Sequence, residues 1–356
     1  MHFGLTEEQE ELSSTVRKLL ERRADSTSTR AATESETGFD AELWQTLCEQ
    51  IGVAAFAIPE EYDGAGFGLF ETGIVAEGLG HALAAVPLIG SIVVAEALLA
   101  SGDDDVCREV LPQVAMGEVA ALAWPGVTGP EVSALTVTAD GDRLSGTARR
   151  VLHGDRAAVL VVAANTVDGP GLFLVDPADA AVTSTPAMDT TLRFADLTFD
   201  GTSARRVSGD AAAALHRAHL AGAALVACLQ VGGAQRALDM TVAYAKERVQ
   251  FGRVIGSFQA LKHRMADMLV DVETSRSIAW AATYAVATRA DDVDVLVASA
   301  ASHCGDAFMH VAGEAVQLHG GIGITWEHDI SWAFKRAQAL NQLFGLPHQH
   351  RALLPL

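Results

Sequence analysis

AKERVQFGRVIGSFQALKH, residues 245–263, and QLHGGIGITWE, residues 317–327, are the two stretches on which the reading of this chain turns. In the first, Arg248 offers a planar, permanently charged fork suited to phosphate oxygens, and Phe251 offers an apolar ring for stacking. Ser257 is placed to cap a helix that carries Phe258, Leu261, Met265, Met268, Leu269 and Val272 on one face. In the second, Gly320-Gly321 ends a helix running from about Val293 to His319. A glycine pair there lets backbone approach a ligand and aim N–H groups at it. Gln259 and Gln317 each carry donors and an acceptor. Either stretch alone reads equally well as a helix-loop-helix with a solvated arginine and a capping glycine pair. The two together, about 70 residues apart in one helical zone, are specific.

Outward from these stretches the chain divides into three zones. Residues 1–118 are helical. Thr6 and Gln9 form a capping box ahead of the stripe Leu12, Val16, Leu19 and Leu20. Leu43, Trp44 and Leu47 carry a second helix that Gly52 ends. Residues 59–66 (PEEYDGAG) are a turn-rich loop, and Leu69 to Leu99 suits one or two interior helices. Residues 119–206 switch to short β-branched runs, at 135–138, 158–163 and 172–175. Asp140-Gly141 and Asp168-Gly169 mark hairpins between them, which predicts a small antiparallel β-domain. Residues 207–356 are helical again, with four or five long segments. The fold class expected is therefore α+β: an N-terminal helical domain, a middle antiparallel β-domain and a C-terminal four-helix bundle.

Composition narrows the functional classes. The formal net charge of −20 excludes nucleic-acid binding, which needs a basic surface. Cys48, Cys107, Cys228 and Cys304 form no CxxC pair and no metal-ligand spacing, as in a reducing cytoplasm. The N-terminus has no basic region leading into an apolar run, so no signal peptide is expected. The longest apolar stretch, Leu220 to Leu229, is short of the roughly 20 residues a membrane span needs. It reads as a buried bundle helix.

With their spacing and the α-β-α order, the two stretches resemble the acyl-CoA dehydrogenase family, whose signatures read roughly ER-x-x-FG-x-x-I-x-x-FQ and Q-x-x-GG-x-G. The likeness covers nearly the whole chain. It implies α,β-dehydrogenation of an acyl-CoA thioester with FAD as cofactor and an electron-transfer flavoprotein as acceptor. It also implies cofactor contacts from Arg248, Gln250, Phe251, Ile255, Phe258, Gln259, Gln317, Leu318, Gly320 and Gly321, reaching a flavin held mainly by a neighbouring subunit. His319 falls at a variable position beside that cofactor, and His348 and His350 read as a solvated tail.

The same resemblance exposes what is missing. The family takes the α-proton with a glutamate, usually in a Y-E-G triplet that falls here on Leu343-Phe344-Gly345. A phenyl ring accepts no proton. Members that place the glutamate on the first long helix of the bundle would have it at Gly222, and no carboxylate lies between Asp210 and Asp239. The β-domain entry survives only as Trp124-Pro125-Gly126, and the W-x-T that contacts the flavin ring falls on Arg150-Val151-Leu152. Residues that serve a neighbour's flavin are kept, and those that serve the chain's own flavin and substrate are lost. This division resembles the non-catalytic subunit of actinobacterial α2β2 enzymes of steroid side-chain degradation, with a second dehydrogenase-like subunit carrying the glutamate. Two other readings stay open. One is a self-sufficient homotetramer with a relocated base, for which Glu327 and Asp329 are the nearest acids in sequence. The other is a CoA-thioester-binding or scaffold protein without redox chemistry. Gly222, Ala223 and Ala224 permit a bulky acyl group, or simply close helix packing.

Overall fold

The computed structural model describes residues 4–125 and 134–355. Helix α1, Glu7–Arg23, begins at the expected capping box, in which Gln9 N donates to Thr6 Oγ1 and Thr6 N donates to the Gln9 side chain. Its Val16, Leu19 and Leu20 are buried. Helix α2, Ser26–Glu34, follows, and then α3, Ala41–Thr46, which runs into a π-turn closed by Gly52 in the left-handed region. The apolar segment to Leu99 forms two helices, α4, Leu69–Ala82, and α5, Leu88–Ser101; α6 spans Asp104–Ala115.

Eight strands follow: β1, Ala120–Ala123; β2, Val137–Asp140; β3, Arg143–Leu152; β4, Val159–Thr166; β5, Gly169–Val175; β6, Ala181–Thr185; β7, Phe194–Ser203; and β8, Arg205–Val207. Both Asp-Gly hairpins form, joining β2 to β3 and β4 to β5. The sheet order is β6-β7-β3-β2-β4-β5-β8, with β1 beside β4. The sheet is mixed rather than antiparallel as expected. β1 runs parallel to β4, Ala120 to Ala123 beside Val159 to Val162, and β2 makes a parallel bridge to β4 at Thr138 and Asn165. β1 enters directly from the N-terminal helices, so no hairpin imposes an antiparallel partner on it.

The C-terminal part is built on α7, Ala211–Glu247. The hairpin β9–β10 (Val249–Gln250 and Arg253–Val254), α8 (Gln259–Thr288), α9 (Val293–His319), α10 (Ile330–Leu340) and α11 (Pro347–Arg351) complete it. Three of these helices are long and two are short, against four or five long segments expected. Helix α7 is long and apolar enough to cross a membrane by length and composition. However, 78% of its apolar window is buried inside the protein, where α4, α5, α8, α9 and α10 pack around it. Glycine makes the tightest of these crossings. A Cβ on Gly80 would overlap the Leu229 carbonyl, and one on Gly232 would overlap the Glu77 carbonyl, so α4 and α7 meet backbone to backbone. Arg217 ties three helices: it donates to Glu96 of α5 at 2.6 Å and to the Val286 carbonyl of α8 at 2.7 Å.

Two local expectations fail. Ser257 does not cap α8. Its hydroxyl donates to the Val254 carbonyl at 2.7 Å inside a 3-10 turn, Ile255–Ser257, and Phe258 holds the N-cap position. On the face read as apolar, Met268 and Val272 are buried but Leu269 is exposed, because its 100° offset from Met268 turns it out of the α7 contact.

Candidate cofactor site and the place of the missing base

Arg248 is the residue at which α7 ends. Its N–H donates to the Tyr244 carbonyl at 2.9 Å, and among the described residues its exposed guanidinium makes no ion pair. The chain then turns through β9–β10, with exposed Gln250 paired to Arg253. Phe251 at the tip is 92% exposed with φ +55°. With Gly252 at φ +79°, it forms the two-residue turn of the β9–β10 hairpin, which calls for positive φ at both positions. Ile255 and Phe258 lie half-buried beneath, and Arg253 covers the Phe258 ring at 4.0 Å. Gln259 is exposed at the first position of α8.

At the end of α9, Gln317 is exposed, Leu318 is half-buried and His319 is buried. Gly320 follows with φ +66°, and no atom lies within 4 Å of a Cβ built on Gly320 or Gly321. The turn is open on its outer side. Ile324 and Trp326 beyond it are exposed. The two stretches are brought together: the Tyr244 ring, one turn before Arg248, stacks on His319 with centroids 4.6 Å apart and planes at 23°. The Tyr244–His319 stack thus links the segment ending at Arg248 to the open glycine turn, and a guanidinium and free backbone N–H groups are donors of the kind that suit phosphate oxygens.

The two positions where the sequence reading looked for a carboxylate lie in a buried aromatic cluster. Phe344, buried with φ +57°, lays its ring against α7 so that a Cβ on Gly222 would overlap it. The two positions separately identified as lacking a carboxylate are therefore one spot in space. His219 meets Phe344 edge-on at 6.1 Å and Trp124 at 6.5 Å, and it stacks on His350 with centroids 5.9 Å apart. Burial, with His350 and His216 nearby, pushes His219 down to about 4. Burial lowers His350 as well, against a raising hydrogen bond to the Phe344 carbonyl. Both imidazoles are neutral, and neither is poised as a base near neutral pH. His350 is thus no tail residue: α11 carries it inward to 1% exposure, while His348 stays exposed.

The acids considered as relocated bases are placed elsewhere. Glu327 is exposed, and Asp329 is held by Arg30 at 2.9 Å. The buried Glu96 is clamped by Arg217. No nucleophilic cysteine substitutes: all four are buried, and burial raises Cys48 and Cys304 to about 12. Among the described residues no group of three metal-ligating side chains occurs.

On β3, Arg150 bulges out with φ +55°, while Val151 and Leu152 are buried. Beside Leu152 and His153 lies a void of about 10 Å³, the size of one water. Trp124 is buried, and Gly126, the third residue of the expected β-domain entry, lies outside the described residues.

A model of the acyl-CoA dehydrogenase N-terminal domain matches residues 6–118, and one of the C-terminal domain matches residues 213–351. Over 345 residues, 97% of each chain, the protein is 40% identical to acyl-CoA dehydrogenase IpdE2 of Mycolicibacterium smegmatis.

The chain belongs to the acyl-CoA dehydrogenase family.

Among solved structures, the ChsE4-ChsE5 complex from Mycobacterium tuberculosis superposes with TM-score 0.89 at 30% identity, covering 99% of this chain and 97% of that one. The Tcur3481-Tcur3483 steroid ACAD G363A variant superposes with TM-score 0.87 at 33% identity, covering 97% and 96%. Within the acyl-CoA dehydrogenase frame, Tyr244 and His219 carried no mark in the sequence, and Trp124 and His350 were read there as a β-domain entry and a tail rather than as parts of one cluster. Each acts through a partner at least 75 residues away, apart from the carbonyl by which Tyr244 holds Arg248. The i, i+4 spacing of Tyr244 and Arg248 is the one local signal that could have found any of them.

Proposed function

We propose that this acyl-CoA dehydrogenase chain, organised as domains over residues 1–118, 119–206 and 207–356, is the cofactor-lending subunit of a two-chain enzyme. The single observation that carries the reading is the Gly222–Phe344 contact, which fills with a buried ring the spot where the family's carboxylate is expected. A second acyl-CoA dehydrogenase chain supplies the glutamate. This chain supplies Arg248 for the FAD pyrophosphate, Phe251 for stacking, and Gln250, Ile255, Phe258, Gln259, Gln317, Leu318 and the Gly320–Gly321 turn for the rest of the dinucleotide.

The fit to FAD differs between the chain's two surfaces. The outward surface suits it: a guanidinium without an ion pair among the described residues, an exposed ring and glycines with open space above them. The position that the resemblance gives to the ring contact suits it less, since Arg150-Val151-Leu152 replaces the W-x-T there and Val151 and Leu152 are buried. When bound, FAD supplies the hydride acceptor; residues of this chain orient it and shield it from water. The relatives named for two-chain assemblies and a steroid enzyme support a partner subunit and a bulky steroid-derived acyl-CoA. An electron-transfer flavoprotein would then reoxidise the complex, in the cytoplasm.

The test is to co-express the chain with each acyl-CoA dehydrogenase-like protein encoded beside it and assay acyl-CoA oxidation. Activity is expected only in a pair. Phe344→Glu in the lone chain is expected to remain inactive, because a carboxylate alone does not restore the W-x-T ring contact that Arg150-Val151-Leu152 replaces. Turnover by the unmodified lone chain would sink the proposal.

A further inference from the structure

Tyr244 touches both halves of the outward surface. Its carbonyl accepts the Arg248 N–H at 2.9 Å, and its ring lies on His319, the residue immediately before Gly320. His319 is fixed in turn. Its Nδ1 lies 2.7 Å from the Ala315 carbonyl, so Nδ1 carries the proton and donates. That leaves Nε2 as a lone pair, buried without a partner among the described residues. His328 packs on the same imidazole at 4.8 Å with planes at 57°, and a Cβ on Gly323 would come within 3.1 Å of the His319 Cβ. The outer side of the glycine turn, by contrast, meets nothing. The stack joins the packing of α7 on α9 in linking the turn to Arg248.

We propose that Tyr244 and His319 are positioning residues for FAD, their ring stack setting the separation between the Arg248 guanidinium and the Gly320–Gly321 turn. The inference rests on the cofactor-lending reading and deepens it. His319 is buried and Tyr244 half-buried, beneath the exposed Arg248 and glycine turn. Their contribution is to hold two sequence-distant contacts in register before the cofactor arrives, which lowers the ordering cost of binding. The geometry also demands a neutral imidazole. A proton on Nε2 would add a buried donor without an acceptor and a charge beside His328. The groups facing His319 are Tyr244 from α7 and His328 from the segment before α10. The turn 320–324 contributes no charged residue, and no carboxylate hydrogen-bonds the ring among the described residues. Burial lowers the His319 pKa from its ordinary 6.5, with His328 adding to the shift. The neutral form is thus the folded one above about pH 6.5.

The experiment titrates FAD into the deflavinated two-chain complex. Tyr244→Ala and His319→Ala in this chain are expected to weaken FAD by roughly 2- to 12-fold, the span one aromatic pair is worth. Wild-type affinity is expected to hold at neutral pH and to fall only as the pH drops below the ordinary histidine value of 6.5. His319→Phe keeps a ring and removes the titration, so it is expected to bind near wild type with a flatter pH profile. A merely structural role would not move that profile. Arg248→Ala is the control for the underlying reading. Weakened FAD in Arg248→Ala with unchanged FAD in both Tyr244→Ala and His319→Ala overturns the inference alone. Unchanged FAD in Arg248→Ala overturns the cofactor-lending reading as well.

Discussion

The Phe344 ring occupies the volume that any side chain on Gly222 would need. Substitution at either position is therefore coupled to the other. Gly222→Ala ordinarily gains about 1 kcal/mol of helix propensity, but here it is expected to destabilise by about 1–3 kcal/mol through overpacking. Phe344→Ala alone is expected to cost about 3–5 kcal/mol. The double variant is expected to be less destabilised than the sum, since removal of the ring opens the space the methyl enters. Urea midpoints of the four chains measure the coupling, and simple additivity would show that the contact is not formed.

The stacked pair His219–His350 makes stability depend on pH in one direction. His219 is lowered from 6.5 to about 4 by burial, so the folded state binds fewer protons than the unfolded state between those values. The stabilisation is complete above about pH 6.5 and is lost as the pH falls toward 4, by about 3 kcal/mol for this group. His350 acts in the same direction. His350→Phe is expected to shrink the loss measured by denaturant titration from about pH 7 to about pH 5, and an unchanged slope would count against the buried pair.

Glu96 and Arg217 are both largely buried and face each other at 2.6 Å. Removing one leaves the other charge without its partner inside the contact between α5, α7 and α8. Glu96→Ala is expected to destabilise the fold by about 3–5 kcal/mol, read as a lowered melting temperature. A loss below about 1 kcal/mol would place the pair with surface ion pairs instead.

The order of helices and strands was legible because each rests on local signals: the Thr6–Gln9 box, the left-handed Gly52, the Asp-Gly hairpins and the glycines after His319. The parallel pairing of β1 with β4 was not, since it joins segments with no shared turn. Ser257 misled because a serine before a helix reads as a cap whether or not a 3-10 turn intervenes. The absence of a carboxylate at Phe344 and Gly222 was visible by counting. That the two positions are a single packing contact was not, because 122 residues separate them. His350 was misread for a related reason: the five-residue helix that turns it inward is too short to carry a periodic signal, and its partner His219 lies in another helix.

The central claim is that Arg248, Phe251 and the glycine turn hold FAD in a partner while the chain lacks the carboxylate and the W-x-T ring contact for a flavin of its own. Flavin content per chain tests it most directly. The lone chain is expected to purify without stoichiometric flavin, and the two-chain complex to hold FAD that Arg248→Ala in this chain releases. One tightly bound FAD for every lone chain would contradict the claim.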